Sequence, residues 1–280
     1  MTTQTQEKAQ INKALFDAAL TGDLASVKRW VEAGADVKWH LSSGWTPLLV
    51  AVQGGNAEVV RFLAVRGGSL NAALPDGTGA LTIAALQGKT DVAHFLVEAG
   101  ADVNAATDDG RTPLMASCIN NQAEITEFLA AHGAQTEQED ARGLTALAWA
   151  ARCKAADSAR VLLAAGAKVD GADHYGYTPL MWAVQQEDLN LTRILVEHGA
   201  NVNAREKEEI SALDALELLQ PEDENEEHRA ARREAGKLLA EGKYDVHVRT
   251  NRLSVLDLAE GEALRAYLTE QGALSGDELN

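Results

Sequence analysis

Residues 107–139 read TDDGRTPLMASCINNQAEITEFLAAHGAQTEQE, and this stretch carries every feature of a unit that recurs along the chain. Its two landmark glycines repeat in steps of 33 residues. One series consists of Gly44, Gly77, Gly110, Gly143 and Gly176, and the other starts pairs of small residues at Gly34, Gly67, Gly100, Gly133, Gly166 and Gly199. A fixed period of this length indicates one supersecondary unit copied end to end.

Each unit encodes two helices and a turn. Thr112 followed by Pro113 predicts the first helix start, because a threonine hydroxyl caps free N–H groups and proline fits the first helical position. Apolar residues at helical spacing predict a second helix, as in residues 92–97. The glycine of each small pair then ends that helix in a left-handed conformation that glycine adopts cheaply.

The motif Gly-x-Thr-Pro-Leu, with a small residue three positions later, resembles the signature of the ankyrin repeat family. Complete copies begin at Gly44, Gly110 and Gly176, and altered copies begin at Gly77 and Gly143. The signature histidine is replaced by Leu49, Thr82, Met115, Ala148 and Met181. The resemblance covers nearly the whole chain. It implies an all-α fold, an ankyrin-repeat solenoid with short β-hairpin or turn fingers between helix pairs.

The register predicts a single domain over residues 1–280. Its parts are an N-terminal capping repeat (7–40), regular repeats (41–73, 74–106, 107–139, 140–172 and 173–205), a degenerate repeat with a ten-residue insertion (206–249), a C-terminal capping repeat (250–275) and a tail (276–280). Pro221 followed by acids predicts a long helix in the degenerate repeat, with its inner half packed on the sixth unit.

Charge and composition favour a protein partner over nucleic acid or membrane. The formal net charge is −17, and the cluster Arg229–Arg233 follows acids on the same predicted helix, which favours self-pairing over phosphate contacts. No apolar run is long enough to span a bilayer, and the first residues show no secretory signal. With only Cys118 and Cys153, we expect thiols in a reducing compartment and a cytoplasmic monomer.

The sequence contains no recognisable catalytic, zinc-binding or phosphate-binding motif, so we expect no enzyme activity, metal or cofactor. His132 and His198 precede glycine stops at the same repeat offset, which predicts contacts with the last helical carbonyls. Asp108 and Asp109 are expected to be solvated, with ordinary pKa values.

The resemblance implies that a partner binds the fingers and the inner face of the first helices. The candidate residues are Trp45, Asp76, Thr78, Leu86, Asp108, Asp109, Arg111, Ile119, Arg142, Leu144, Arg152, His174, Tyr175, Tyr177 and Gln185. Among them, Trp45, Tyr175 and Tyr177 are predicted to be exposed anchors, because tryptophan and tyrosine dominate interface energetics.

Acidic residues of the fingers predict a negative ridge that attracts a basic partner. The ridge would contain Asp76, Asp108, Asp109, Glu137, Glu139, Glu206, Glu208 and Glu209. Asp140 and Asp173 share an offset typical of a turn cap, so we interpret them as structural. Trp149 and Trp182 share an inward offset and are interpreted as core packing.

The sequence therefore favours a non-enzymatic scaffold that binds a protein through a concave acidic and aromatic surface. Two alternatives stay open. One is an inhibitor or immunity-type protein that neutralises a basic enzyme or toxin, as the net charge of −17 suggests. The other is a regulatory protein acting through the insertion at residues 220–236.

Overall fold

The computed structural model describes residues 3–207, 209–211, 247–249, 256 and 258–275, and the all-α class is confirmed in them. The helices are α1 (Thr3–Thr21), α2 (Leu24–Glu32), α3 (Pro47–Gly54), α4 (Ala57–Val65), α5 (Ala80–Leu86), α6 (Thr90–Glu98), α7 (Pro113–Ile119), α8 (Ala123–Ala131), α9 (Ala146–Arg152), α10 (Ala156–Ala164), α11 (Pro179–Gln185), α12 (Leu189–Glu197) and α13 (Glu262–Glu270). Two short strands, β1 (Glu209–Ser211) and β2 (His247–Arg249), pair antiparallel with Ile210 opposite Val248.

The first helices begin where the threonines predict. The Thr112 hydroxyl accepts the N–H of Met115 at 3.3 Å, and Thr46 and Thr178 cap α3 and α11 in the same way. The second helices end at glycines with positive φ, for example 90° at Gly100. Only a residue without Cβ takes that conformation cheaply, so the stops follow directly from the sequence.

The chain divides into two compact units, Met1–Thr136 and Glu137–Asn280. In the first unit, α1, α3, α5 and α7 pack side by side, and α2, α4, α6 and α8 form a second row. In the second unit, α9 packs on α11 and α10 on α12. Small and apolar residues of the first helices form the cores, with Ala51, Ala84, Ala150 and Ala183 all buried. The prediction of a single domain stays a prediction.

Successive repeats of the first unit are joined by an asparagine bridge. The Asn104 side chain donates to the Gly133 carbonyl at 3.1 Å and accepts the Gln135 N–H at 2.9 Å. On the outer side, the Arg61 guanidinium lies 4.6 Å from the ring centroid of Phe95 in the next repeat. Both contacts mark the spacing of one repeat to the next.

The same contacts place α13 directly after the sixth repeat. Asn203 donates to the Gly272 carbonyl at 3.2 Å, and Arg193 lies 5.1 Å from the Tyr267 ring centroid. Asn203 and Gly272 are 69 residues apart in the sequence, whereas Asn104 and its bonded glycine are 29 residues apart. The last contact therefore spans 40 residues more than the regular one. The sequence predicts a degenerate repeat over residues 206–249 before the capping repeat at 250–275, and this division stays a prediction. The described contacts put α13 on the sixth repeat, where its side chains reproduce the repeat contacts after a long interruption.

The predicted long helix and the insertion at residues 220–236 lie outside the described residues, as does Glu208. Among the helices of the described part, none is long and apolar enough to cross a membrane.

Candidate functional site

The fingers of the second to sixth repeats are closed by the same two backbone hydrogen bonds. At residues 107–111, the Thr107 N–H donates to the Arg111 carbonyl at 3.0 Å, and the Gly110 N–H donates to the Thr107 carbonyl at 2.8 Å. Equivalent bonds close the fingers that start at Leu41, Leu74, Asp140 and Asp173. The fingers are therefore hydrogen-bonded turns that hold their tips in one conformation.

The finger tips of the first unit present two linked carboxylates. Asp76 and Asp108 are both exposed, and the Asp108 N–H donates to the Asp76 carbonyl at 2.9 Å. The Asp76 carboxylate also accepts the N–H of Thr78 at 2.9 Å. These bonds fix two neighbouring negative tips without neutralising them, as the sequence predicted for this part of the ridge.

Asp109 is exposed, as expected, but its carboxylate is hydrogen-bonded within the finger. Its carboxylate accepts the Nε–H of Arg111 at 2.7 Å and the hydroxyl hydrogen of Thr107. Partial burial raises the pKa of Asp109, but the Thr107 hydroxyl and the charge and hydrogen bond of Arg111 outweigh it, so the pKa lies below its usual range. The expectation of an ordinary pKa is therefore wrong for Asp109, because local partners stabilise its charged form.

The other candidates of the first unit are half-buried, and a partner could reach them only in part. They are Trp45, Thr78, Leu86, Arg111 and Ile119. The Asn120 side chain donates to the Leu86 carbonyl at 2.8 Å and so ties the ends of adjacent first helices together. Their role in binding stays a prediction.

Asp173 is the buried centre of the finger in the sixth repeat. Its carboxylate accepts the N–H groups of Tyr175 and Tyr177, each at 2.9 Å, and the indole N–H of Trp182 at 3.1 Å. Burial raises the pKa of Asp173 to about 7, against the opposing effect of these three donors and of the Lys207 charge. The interpretation of Asp173 as a turn cap is confirmed, and its buried charge costs free energy at neutral pH.

Asp140 repeats this arrangement in the fifth repeat. It accepts the N–H groups of Arg142 at 2.8 Å and Leu144 at 2.9 Å, and the Trp149 indole N–H at 3.0 Å. A cation also stands close by, since the Arg142 Nε lies 3.8 Å from the carboxylate. In the next repeat Tyr175 occupies the offset of Arg142, so Asp173 lacks this charge at the equivalent position.

Three predicted contact residues are buried in the second unit. Tyr175 is 4% exposed and Tyr177 is 1% exposed, and Leu144 is equally inaccessible. The Tyr177 ring packs against Trp182, with centroids 5.0 Å apart. The predicted exposure of the two tyrosines is therefore wrong, since both are buried and the Tyr177 ring packs against Trp182 of the first helix.

Trp149 and Trp182 form part of a stack of cations and aromatic rings. The Arg142 guanidinium lies 4.9 Å from the Trp149 ring centroid. Arg152 lies 5.2 Å from Trp149 and 5.5 Å from Trp182, so its guanidinium stands between two indoles. The indoles are 6% and 7% exposed, which confirms their interpretation as core residues. The two arginines are half-buried, as is Gln185 at the offset of Arg152 in the next repeat.

The sequence contains a signal for this stack. In two consecutive repeats a tryptophan follows the finger aspartate by nine residues, as Asp140–Trp149 and Asp173–Trp182. This recurrence predicts that the finger aspartate is hydrogen-bonded to a tryptophan of the first helix in the same repeat. The arginines that cover the rings come from offsets occupied by other residue types elsewhere, so no period reveals them.

The fingers of the second unit carry basic residues at their surface. The backbone N–H of His174 donates to the Arg142 carbonyl at 3.1 Å, and the backbone N–H of the exposed Lys207 donates to the Tyr175 carbonyl at 2.7 Å. Three acids of these fingers are buried, namely Asp140, Asp173 and Glu206. The predicted negative ridge is therefore wrong at Glu206, whereas the burial of Asp140 and Asp173 agrees with their interpretation as turn caps.

Glu137 and Glu139 complete the described part of the predicted ridge. Glu137 is half-buried and accepts the N–H of Lys168 at 3.0 Å. Glu139 is exposed on the finger of the fifth repeat. Glu139 thus leaves one accessible negative charge beside the basic tips.

The predicted histidine contacts at the ends of the second helices are confirmed. The Nδ1 atom of His132 lies 2.8 Å from the Phe128 carbonyl, and that of His198 lies 2.7 Å from the Ile194 carbonyl. Both rings therefore satisfy carbonyl groups that the helix leaves open.

Comparison with known proteins supports the repeat assignment. A family model described as ankyrin repeats matches residues 15–107, 105–173 and 137–206. The human ASB11 ankyrin repeat domain superposes with a TM-score of 0.68 and 21% sequence identity, covering 93% of this chain and 98% of that one. At that identity the likeness shows the fold alone.

Similar stretches occur in curated proteins of the mouse, Mus musculus. Protein phosphatase 1 regulatory subunit 27 is 40% identical over 63 residues, which are 22% of this chain and 41% of that protein. Ankyrin repeat, SAM and basic leucine zipper domain-containing protein 1 is 41% identical over 58 residues, 21% of this chain and 12% of that protein. The matches thus span less than half the length of either relative.

Proposed function

The chain belongs to the ankyrin repeat family, whose model matches it from residue 15 to residue 206, and we propose that it is a non-enzymatic scaffold for a protein partner. Ankyrin repeats are general protein–protein interaction modules, built as stacks that leave the finger tips and first-helix faces for binding. A cytoplasmic monomer fits this proposal.

The observation that carries the proposal is the pair of exposed carboxylates at Asp76 and Asp108. A backbone hydrogen bond joins the two tips at 2.9 Å, so their spacing is set before any partner arrives. Preorganised charges accelerate encounter with an oppositely charged surface and lose little entropy on binding. With half-buried Trp45 in the same unit as an anchor, this surface suits a basic segment of a partner.

Affinity capture with the full chain tests the proposal. We expect a protein partner that is retained by the wild type and lost by Asp76→Asn/Asp108→Asn, with a further loss for Trp45→Ala. The matched control is Asp91→Asn/Glu98→Gln, which removes two exposed charges from the second-helix side of the same unit. Capture that is equal for both double variants would refute binding at the finger tips.

A second candidate is an inhibitor or immunity-type protein that neutralises a basic enzyme or toxin. It is favoured by the net charge of −17 and by the resemblance of 63 residues to a phosphatase regulatory subunit. If the captured partner is an enzyme, adding the purified chain should lower its activity, and the loss should shrink as salt rises. An unchanged activity at saturating chain would exclude this candidate.

The third reading is a regulatory role for the insertion at residues 220–236. Deleting this segment and repeating the capture separates it from the finger-tip proposal. Binding that survives the deletion but is lost in Asp76→Asn/Asp108→Asn assigns recognition to the fingers.

A further inference from the structure

The outer face of the first unit carries a group of exposed cations. Lys28 and Arg29 are exposed on α2, and exposed Arg61 and Arg66 lie on and directly after α4, the next helix of the same row. Among the described residues, none forms an ion pair or a side-chain hydrogen bond with these four side chains. Arg29 interacts through its charge with Asp23 at the start of its own helix. The cations available to a ligand are therefore Lys28, Arg61 and Arg66.

Aromatic rings hold these three cations at set positions. Lys28 lies 6.0 Å and Arg66 lies 5.0 Å from the ring centroid of half-buried Phe62, so one ring contacts two cations. Arg61 lies 4.6 Å from the Phe95 centroid in the next repeat. Cation–π attraction engages the flat face of a guanidinium, whereas its N–H donors lie in the plane and match the two oxygens of a carboxylate. Since both arginines are exposed, stacking orients them and leaves these donors for a ligand.

An exposed valine lies among the cations. Val65 is 83% exposed, more than any other large hydrophobic residue in the part of the chain that the structure describes. It lies one helical turn after Arg61 on the same face of α4 and directly precedes Arg66. Its repeat offset holds Glu32 in the preceding repeat and Glu98 in the following one. An apolar contact thus replaces a negative charge between the two arginines.

The exposed acids of the outer face limit this surface to two helices. Glu32 on α2 and Glu58 on α4 lie beside the cations. On α6 and α8 the exposed charged side chains are all acids, namely Asp91, Glu98, Glu124 and Glu127. Neighbouring helices pack about 8–10 Å apart, so two of them accommodate a short segment and not a long polyanion.

We propose that Lys28, Arg61, Val65 and Arg66 form a docking site for a short acidic segment of a second partner protein, with an apolar residue among its acids. The carboxylates of the segment pair with the two arginine forks, and its apolar side chain packs on Val65. The site goes beyond the finger-tip proposal and does not depend on it. The scaffold then holds a basic partner at its fingers and an acidic partner on its outer face.

Two observations favour an acidic peptide over nucleic acid or an anionic membrane. A phosphate group gains nothing from the exposed side chain of Val65, whereas a peptide supplies an apolar side chain beside its carboxylates. The net charge of −17 opposes the approach of a long polyanion or of an extended anionic surface. A short segment contacts the basic helices and avoids the acids of α6 and α8.

A displayed random dodecapeptide library on the full chain tests this site. We expect peptides that combine two or more acids with an apolar residue, and their fluorescent copies should bind with salt-sensitive affinity. Val65→Glu should weaken binding about tenfold, because it removes the apolar contact and adds a like charge. Glu32 and Glu98 occupy this offset in folded repeats, so the variant should keep its fold. The matched control Ala131→Glu adds the same charge at the same offset of α8 and should change affinity less than about twofold.

A second variant removes the arginine forks. Arg61→Gln/Arg66→Gln should weaken the peptides about tenfold, since each exposed ion pair contributes a few-fold. Arg160→Gln removes an exposed arginine from the offset of Arg61 in α10 and should change affinity less than about twofold. If circular dichroism shows that the double variant does not fold, Val65→Glu decides alone.

The proposal is overturned by acidic peptides that bind the wild type and Val65→Glu equally. It is also overturned if single-stranded oligothymidylate or phosphatidylserine vesicles bind more tightly than the peptides and lose this binding in Arg61→Gln/Arg66→Gln. In those cases the cations recognise phosphate and not a protein segment.

The remaining outcomes separate this site from the finger-tip proposal. If the library yields only basic peptides whose binding needs Asp76 and Asp108, the acidic-segment site is wrong and the proposed function stands. If acidic peptides bind through Val65 while affinity capture is equal for the finger-tip variant and its control, the outer site stands and the finger-tip proposal is wrong. If no specific peptide and no protein is found, both are contradicted.

Discussion

The stability of the second unit should depend on the protonation of Asp173. The pKa of this buried carboxyl is raised from 3.8 to about 7, mainly by desolvation. Between these values the folded chain holds a proton that the unfolded chain has released. Stability from this group is therefore complete below about pH 4, falls as pH rises, and is gone above about pH 7.

The size of the effect follows from the shift. About three pKa units at ~1.4 kcal/mol each correspond to a loss on the order of 4 kcal/mol between about pH 4 and pH 8. Asp173→Asn removes the titration. It also turns an amide donor toward the Trp182 indole N–H and should cost about 1–3 kcal/mol relative to the wild type with Asp173 protonated. Titration of Asp173 therefore makes the free energy of unfolding of the wild type depend on pH. The free energy of unfolding of Asp173→Asn lacks this dependence.

Urea unfolding followed by circular dichroism and tryptophan fluorescence measures this slope. From about pH 4 to pH 8, the free energy of unfolding of the wild type should fall from above that of Asp173→Asn to below it. Asp91→Asn removes an exposed carboxylate and controls for the change in net charge. If the free energy of unfolding of the wild type minus that of Asp173→Asn stays constant or rises with pH, the reasoning is refuted.

Three further substitutions test contacts of the repeats. Lys154→Gly should raise the free energy of unfolding by up to ~1 kcal/mol in urea melts, because Lys154 has a positive φ of 58° that glycine adopts without strain; a lower value would contradict this. Glu187→Gly relieves a φ of 55° but removes the carboxylate that accepts the Gly261 N–H at 3.0 Å, so amide exchange in α13 should accelerate, and unchanged exchange would count against the cap. Arg61→Gln should cost about 0.5–1 kcal/mol by loss of its stacked phenylalanine, whereas Arg160→Gln should cost less; equal thermal midpoints would exclude the cation–π contribution.

The regular repeats were predictable because their contacts recur at constant separation. A threonine cap such as Thr112, a glycine stop such as Gly100 and a histidine such as His132 each act within a few residues of their own position. The candidate site was predictable in part for the same reason. Asp76 and Asp108 are exposed where the finger offset puts them.

Burial at the fingers of the second unit was not predictable from offset alone. Tyr177 and Trp45 share one repeat offset, yet Tyr177 is 1% exposed and Trp45 is half-buried. The difference arises from the neighbours, since Tyr177 lies against Trp182, which Asp173 anchors. Whether a finger residue is exposed or buried therefore depends on the side chains of the adjacent helix.

The amino-acid order alone establishes the repeat, its helix pairs, its glycine stops and the acidic tips of the first unit, since these depend on backbone conformation and short-range hydrogen bonds. Packing between repeats settles the rest. It stacks Arg152 between two indoles, makes the charge of Asp173 costly, and sets α13 on the sixth repeat with a register 40 residues longer than the regular one. The physical reason is that dielectric, ring stacking and the choice of a neighbouring helix depend on atoms distant along the chain, which no local period specifies.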